Sequence, residues 1–302
     1  MKYIDIHSHL NDSRFDEDRA DVLARMRGAQ VATIVVGTDR KMSEDAIMLA
    51  EAHPDMWATI GLHPTDNYKE EFDDALYAKL ATHSRVVAIG ECGLDYYWPS
   101  VNQKNQHHAL LSAAPVSGQD ISSSPLQHSS STPRIASDSF DSLNSLDYEK
   151  NRQRELFEKQ IAIAKKVDKP LMIHGRPSKG SMDAYEDILD ILKGSAVRGN
   201  VHFFVGNTDI AKRFLDIGFT MSFTGVITFT HDYDDVIQYI PLASIMSETD
   251  APYVAPVPYR GKRNEPLYVR ETVAEIARIR GEDPDKTAEA LCANALCSFR
   301  LH

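Results

Sequence analysis

The chain has 302 residues, 42% of them hydrophobic and 25% charged, ordinary proportions for a globular protein. Its formal net charge of -11 excludes a general basic surface for non-specific duplex binding, so any nucleic acid would have to be captured locally. No apolar stretch approaches the roughly 20 residues that a bilayer-spanning helix needs, which excludes a membrane partner of that kind. Met1-Lys2 leads straight into an apolar run, so we expect no cleaved leader and a cytoplasmic location. Cys92, Cys292 and Cys297 are too few and too oddly spaced for a disulfide framework or a zinc knuckle, and read as reduced thiols.

The first strand is expected over Lys2–Ile6, and His7-Ser8-His9 follows it. Residues two apart in a strand share a face, so both imidazoles can reach one metal ion. Alone, such a pair reads as two chance histidines in a loop. An amphipathic helix is expected over Asp18–Arg27, with Ala20, Leu23, Ala24 and Arg27 at helical spacing, and strands over Val31–Gly37 and Met56–Leu62. The third strand leads to His63. Val86–Gly90 is a fourth β-branched run, stopping at Glu91. Helical spacing returns over Arg154–Lys166, through Leu156, Phe157, Ile161 and Ala164. Pro170–Ile173 then stops at His174. A helix over Met182–Leu192 precedes a strand over Asn200–Phe204 that contains His202. Phe219–Phe223 and Ala243–Ser247 complete the set, and Asp250 follows the last. Asp283-Pro284 starts a final helix running to about Phe299.

Strand alternating with helix predicts a parallel sheet, and eight repeats predict an α/β fold of the closed (β/α)8 TIM barrel type with an extra C-terminal helix. No Gly-x-Gly-x-x-Gly follows the first strand, which weakens a dinucleotide-binding alternative. We expect one barrel domain over residues 1–302, interrupted at about 112–146. That stretch is Ser-rich and aliphatic-poor, so it is expected to be a disordered insertion in the loop after strand four.

His7, His9, Glu91, His174, His202 and Asp250 all lie at the ends of apolar runs, where barrel enzymes build their sites. Imidazoles and carboxylates are ligands for Zn, Mn and similar divalent ions. Two carboxylates and four neutral imidazoles carry about -2, and two divalent ions would bring that to about +2, a centre that attracts anions. We therefore expect two divalent metal ions (Mg²⁺, Mn²⁺ or Zn²⁺), with Glu91 as the bridging carboxylate and Asp250 as the base that takes a proton from water. Phosphate or substrate contacts are expected from His63, Arg176 and Arg260. Lys262 and Arg263 fit a solvated surface and a DNA contact equally well.

These residues stand within longer motifs. They are Asp5-Ile6-His7-Ser8-His9-Leu10, Gly61-Leu62-His63-Pro64, Gly90-Glu91-Cys92-Gly93-Leu94-Asp95-Tyr96-Tyr97, His174-Gly175-Arg176, His202-Phe203-Phe204-Val205-Gly206, Glu248-Thr249-Asp250-Ala251-Pro252-Tyr253, and Arg260 through Pro266. In these motifs the chain resembles the TatD-type deoxyribonucleases of the metal-dependent hydrolase superfamily. The resemblance implies a (β/α)8 barrel and a divalent metal centre built from His7, His9, Glu91, His174, His202 and Asp250. It also implies hydrolysis of DNA phosphodiesters, as a 3′ to 5′ exonuclease on single-stranded ends. Gly175 and Phe203-Phe204-Val205 depart from that pattern, which usually has a hydroxyl residue and a Cys-Phe-Ser run there. Two alternatives stand beside this reading: a hydrolase or deaminase acting on a small metabolite, and a binding protein on a degenerate barrel. The sequence leaves the oligomeric state open.

Overall fold

The computed structural model describes residues 1–65, 70–97 and 135–301. Its eight strands are β1 (Tyr3–Ser8), β2 (Val31–Val36), β3 (Met56–Ile60), β4 (Val86–Asp95), β5 (Leu171–Arg176), β6 (Gly199–His202), β7 (Thr220–Phe223) and β8 (Ile245–Ser247). They pair in parallel and in chain order, β1 through β8. Such strands are covered on both sides, which is why they read as continuous apolar runs rather than alternating ones. Closure comes at the seam between β8 and β1. Ser8 bridges Ala251, and the His9 amide donates to the Ala251 carbonyl at 2.7 Å. The buried Asp5 carboxylate accepts from the Thr249 amide at 2.9 Å and from its hydroxyl at 2.5 Å.

Helices α1 (Arg19–Gly28), α2 (Arg40–Ala52), α3 (Asp74–Ala81), α4 (Ile135–Val167), α5 (Asp183–Leu192), α6 (Thr208–Asp216), α7 (Asp234–Tyr239), α8 (Val269–Arg280) and α9 (Pro284–Phe299) complete the description. Capping side chains mark several starts. Asp39, Asn207 and Asp283 accept from the first-turn amides of α2, α6 and α9, satisfying donors that a helix leaves open. The larger core lies between sheet and helices. A second cluster fills the barrel interior, where Ile4, Ile6, Ala32, Ile34, Trp57 and Met172 meet Phe299 and Leu301 at the end of the chain. The C-terminal helix α9 thus closes the interior, and the catalytic end is left to the loops that follow the strands.

Several features differ from the expectation. Strands β3 and β6 each stop two residues short of the expected ends at Leu62 and Phe204. Strands β4 and β5 run five and three residues past the expected ends at Gly90 and Ile173, because Gly93, Leu94 and Asp95 stay in register with His174, Gly175 and Arg176. Helix α1 buries Val22, Leu23 and Met26 rather than Ala20 and Ala24, the larger side chains taking the inward face. Helix α4 begins at Ile135, so the last part of the expected insertion is helical. Phe140, Leu143 and Leu146 recur there at three-residue spacing, a helical signal beneath the serines. The rest of the Ser-rich segment, 112–134, lies outside the described residues.

Candidate metal centre

Glu91 lies at the middle of the site. The pairing of β4 with β5 slips between Ile89 and Cys92, and an irregularity of this kind re-aims a side chain. The two oxygens of the Glu91 carboxylate face different partners. Oε2 is 3.4 Å from His7 Nε2 and 3.8 Å from His9 Nε2. Oε1 is 2.8 Å from His174 Nδ1, 2.8 Å from His202 Nε2 and 3.4 Å from His63 Nε2. Asp250 joins the first side, with Oδ1 3.4 Å from His9 Nε2 and 3.8 Å from His7 Nε2. All six residues singled out at strand ends therefore converge, and His63 converges with them. The groups His7–His9–Glu91 and His63–Glu91–His174 each bring ligand atoms within 4.8 Å of one another.

A second layer of polar groups holds these side chains. Asp95 Oδ2 lies 3.1 Å from His174 Nε2. Glu248, fully buried, has Oε1 3.5 Å from His202 Nδ1 and accepts from the Phe203 amide and the Ser222 hydroxyl. Two glutamines of α4 clamp loops: Gln153 exchanges hydrogen bonds with the backbone of Asp95, and Gln160 with that of Leu62, beside His63. Asp250 and Phe203 sit at φ 56° and 47°. Such values are uncommon for side-chain-bearing residues and costly for a bulky one, and strained backbone of this kind gathers at functional sites. None of Asp95, Glu248, Gln153 and Gln160 was singled out from sequence. The available signal was a polar residue on an apolar face, as Gln160 is among Leu156, Phe157 and Ile161.

Burial alone would push the His9, His174 and His202 imidazoles below their ordinary value. The facing carboxylates outweigh it, so all three are held above, His202 most strongly. Burial would raise Glu91, but the surrounding imidazoles, His202 first, hold it well below the carboxylate range. Asp250 is likewise held down, against burial, chiefly by His9. His7 is lowered by burial. Imidazoles with raised values bind more protons folded than unfolded. Their stabilising contribution is present below about pH 6.5 and is lost as pH rises through the raised values. His7 opposes this, one group against three. In EDTA the melting temperature is therefore expected to fall between about pH 6 and pH 8. Divalent ions, which need neutral imidazoles, are expected to restore more stability at the upper end. Melting curves displaced equally at every pH by added ion would contradict this.

The centre opens into a cavity of about 810 Å³ whose lining includes His63, Glu91, His174, Arg176, His202 and Asp250. The Arg176 guanidinium lies over the Tyr97 ring at 4.2 Å. Arg260 is not in that lining; it donates to the Ala255 carbonyl at 2.8 Å and covers the Phe229 ring. Arg263 pairs with Asp18 at 2.6 Å and donates to the Arg14 carbonyl, so it ties the loop after β8 to the start of α1. Cys92 is buried in the core with its thiol pushed upward by burial, as expected of a packing residue.

A family model described as TatD related DNase matches residues 4–126 and 140–300. The uncharacterized metal-dependent hydrolase YabD of Bacillus subtilis (strain 168) is 33% identical over 305 residues, covering 99% of each chain. A protein of Pectobacterium parmentieri (strain WPP163), the 3′-5′ ssDNA/RNA exonuclease TatD, is 30% identical over 310 residues, covering 98% of this chain and 99% of its own. The crystal structure of YjjV, a TatD homolog from Escherichia coli K12, shares the fold with a TM-score of 0.74 and 25% identity, covering 100% of this chain and 99% of that one. With a matching model over nearly its whole length and overlapping groups of metal-ligating side chains in its barrel mouth, the chain belongs to the TatD-related DNase family and is a metal-dependent hydrolase.

Proposed function

We propose that the chain hydrolyses DNA phosphodiester bonds at a binuclear centre, removing nucleotides from the 3′ ends of single strands. The observation that carries this reading is the division of Glu91, one oxygen toward His7 and His9, the other toward His174 and His202. That is the arrangement a bridging carboxylate needs. The donor set fits divalent ions in its chemistry: the His7 ring is buried with neither nitrogen hydrogen-bonded, and its Nε2, which faces the Glu91 and Asp250 carboxylates, is placed to give its lone pair to a cation. His7, His9 and Asp250 would hold one ion, His174 and His202 the other, with Glu91 shared. Bound there, two ions would lower the pKa of a water to near neutrality and offset charge building on the phosphate.

The remaining work falls to side chains. Asp250, held ionised, accepts the proton of the attacking water. Arg176 and His63, both in the cavity wall, offer donors to phosphate oxygens. The relative named as a 3′-5′ ssDNA/RNA exonuclease supports the substrate class and the polarity. The test is purified protein with Mg²⁺ or Mn²⁺ on 5′-labelled single- and double-stranded DNA. A ladder of shortening products, faster on single strands and abolished by EDTA, is expected. Intact DNA alongside metal-dependent turnover of a lactone or amide would replace this reading with that of a small-metabolite hydrolase.

A further inference from the structure

Beyond the cavity, the loops after β7 and β8 form one continuous sector of the rim. The turn Gly225–Thr228 packs against Pro256, and a Cβ on Gly225 would come within 2.8 Å of that ring. The Val257 amide donates to Thr228 Oγ1 at 2.9 Å. On this joined surface three large apolar side chains are left in solvent: Phe229 at 43%, Tyr253 at 47% and Val257 at 44% exposure. Scattered singly such residues need no explanation, but three of them on two joined loops beside the cavity mark a candidate binding surface. Two of them carry an arginine. Arg260 lies over Phe229 at 3.9 Å and Arg14 over Tyr253 at 4.3 Å. The Arg14 fork is engaged by Asp12, so it offers a plane rather than a free charge. Arg260 pairs with no carboxylate among the described residues, where it donates to the Ala255 carbonyl.

We infer that Phe229, Arg260 and Val257, leading outward from Tyr253, form an outer subsite for the unpaired nucleotides upstream of the scissile bond. This rests on the nuclease reading above. Exposed rings layered with guanidinium planes are what sequence-tolerant stacking of bases uses, and an arginine without an acidic partner can meet a phosphate. Duplex ends would not use it, because their bases are already stacked. The occupant is continuous with the cavity, since Tyr253 and Val254 line its wall. Val257 lies three residue steps beyond Val254, a reach of at most about 10 Å. At about 3.4 Å per stacked nucleotide, a strand leaving the cavity meets the patch within roughly three nucleotides. Arg260, outside the cavity yet prominent in the sequence, thereby acquires a place.

The experiment measures KM for thymidine oligonucleotides of two to six residues with Mn²⁺. In the wild-type protein KM is expected to fall as length passes about three or four. Phe229→Ala is expected to lose that gain by at least about fivefold, the lower end for one stacked base, while Phe229→Trp keeps it. Arg260→Ala is expected to flatten the salt dependence of the longer oligonucleotides by about one counterion. A wild-type protein that cleaves oligonucleotides with a KM indifferent to length, or a Phe229→Ala protein with the wild-type length gain, overturns the subsite and leaves the nuclease reading standing. A wild-type protein that cleaves no oligonucleotide overturns both.

Discussion

Glu91→Ala is expected to lower DNA hydrolysis by at least about a thousandfold, the scale of the several kcal/mol that metal ions contribute to stabilising charge in a transition state. One side chain has this leverage because both of its oxygens are committed, to His7 and His9 on one side and to His63, His174 and His202 on the other. Removing it separates the two halves of the site and leaves imidazoles facing one another, His7 and His202 already stacked at 3.8 Å. The barrel is expected to stay folded, since its interior is held by Ile4, Ile6, Trp57 and Phe299 at the other end. Circular dichroism of the variant matching the wild type, with turnover lost, is the expected pair of results. Undiminished turnover would remove Glu91 from the centre.

Asp250→Asn keeps the size of the side chain and one oxygen that can ligate, but it accepts a proton poorly. A loss in kcat of about 100-fold or more is expected, the usual scale for a positioned acid–base group. The backbone of Asp250 is fixed independently of its carboxylate, since its amide donates to the His7 carbonyl at 2.9 Å. Asparagine also tolerates a positive φ. The substitution therefore tests the proton transfer and leaves the loop in place. KM is expected to change less than kcat. A raised KM with kcat intact would assign Asp250 to binding instead.

The barrel was legible because a parallel sheet covered on both faces leaves eight largely apolar runs, the most strongly β-branched being Val31–Val36 and Val86–Ile89. The ligands were legible for a related reason. An ionisable residue directly after such a run breaks the apolar pattern, as Glu91 and His174 do. Strand ends were less so. Nothing in Gly90-Glu91-Cys92-Gly93 says that pairing with β5 resumes and carries β4 to Asp95. The buried carboxylates Glu248 and Asp95 escaped because their roles come from contacts across the barrel, to His202 and His174, that have no period along the chain. Arg260 shows the opposite case. Its basic loop is conspicuous in an acidic sequence, but only the path of the loop after β8 decides which surface it reaches.

If Glu91 is shared between two ions, as proposed, native mass spectrometry of the metal-loaded chain shows it most directly. Two divalent ions per wild-type chain are predicted, with loss of at least one in Glu91→Ala and full retention in Arg260→Ala. A single ion in the wild-type chain, or two ions retained in Glu91→Ala, would contradict it.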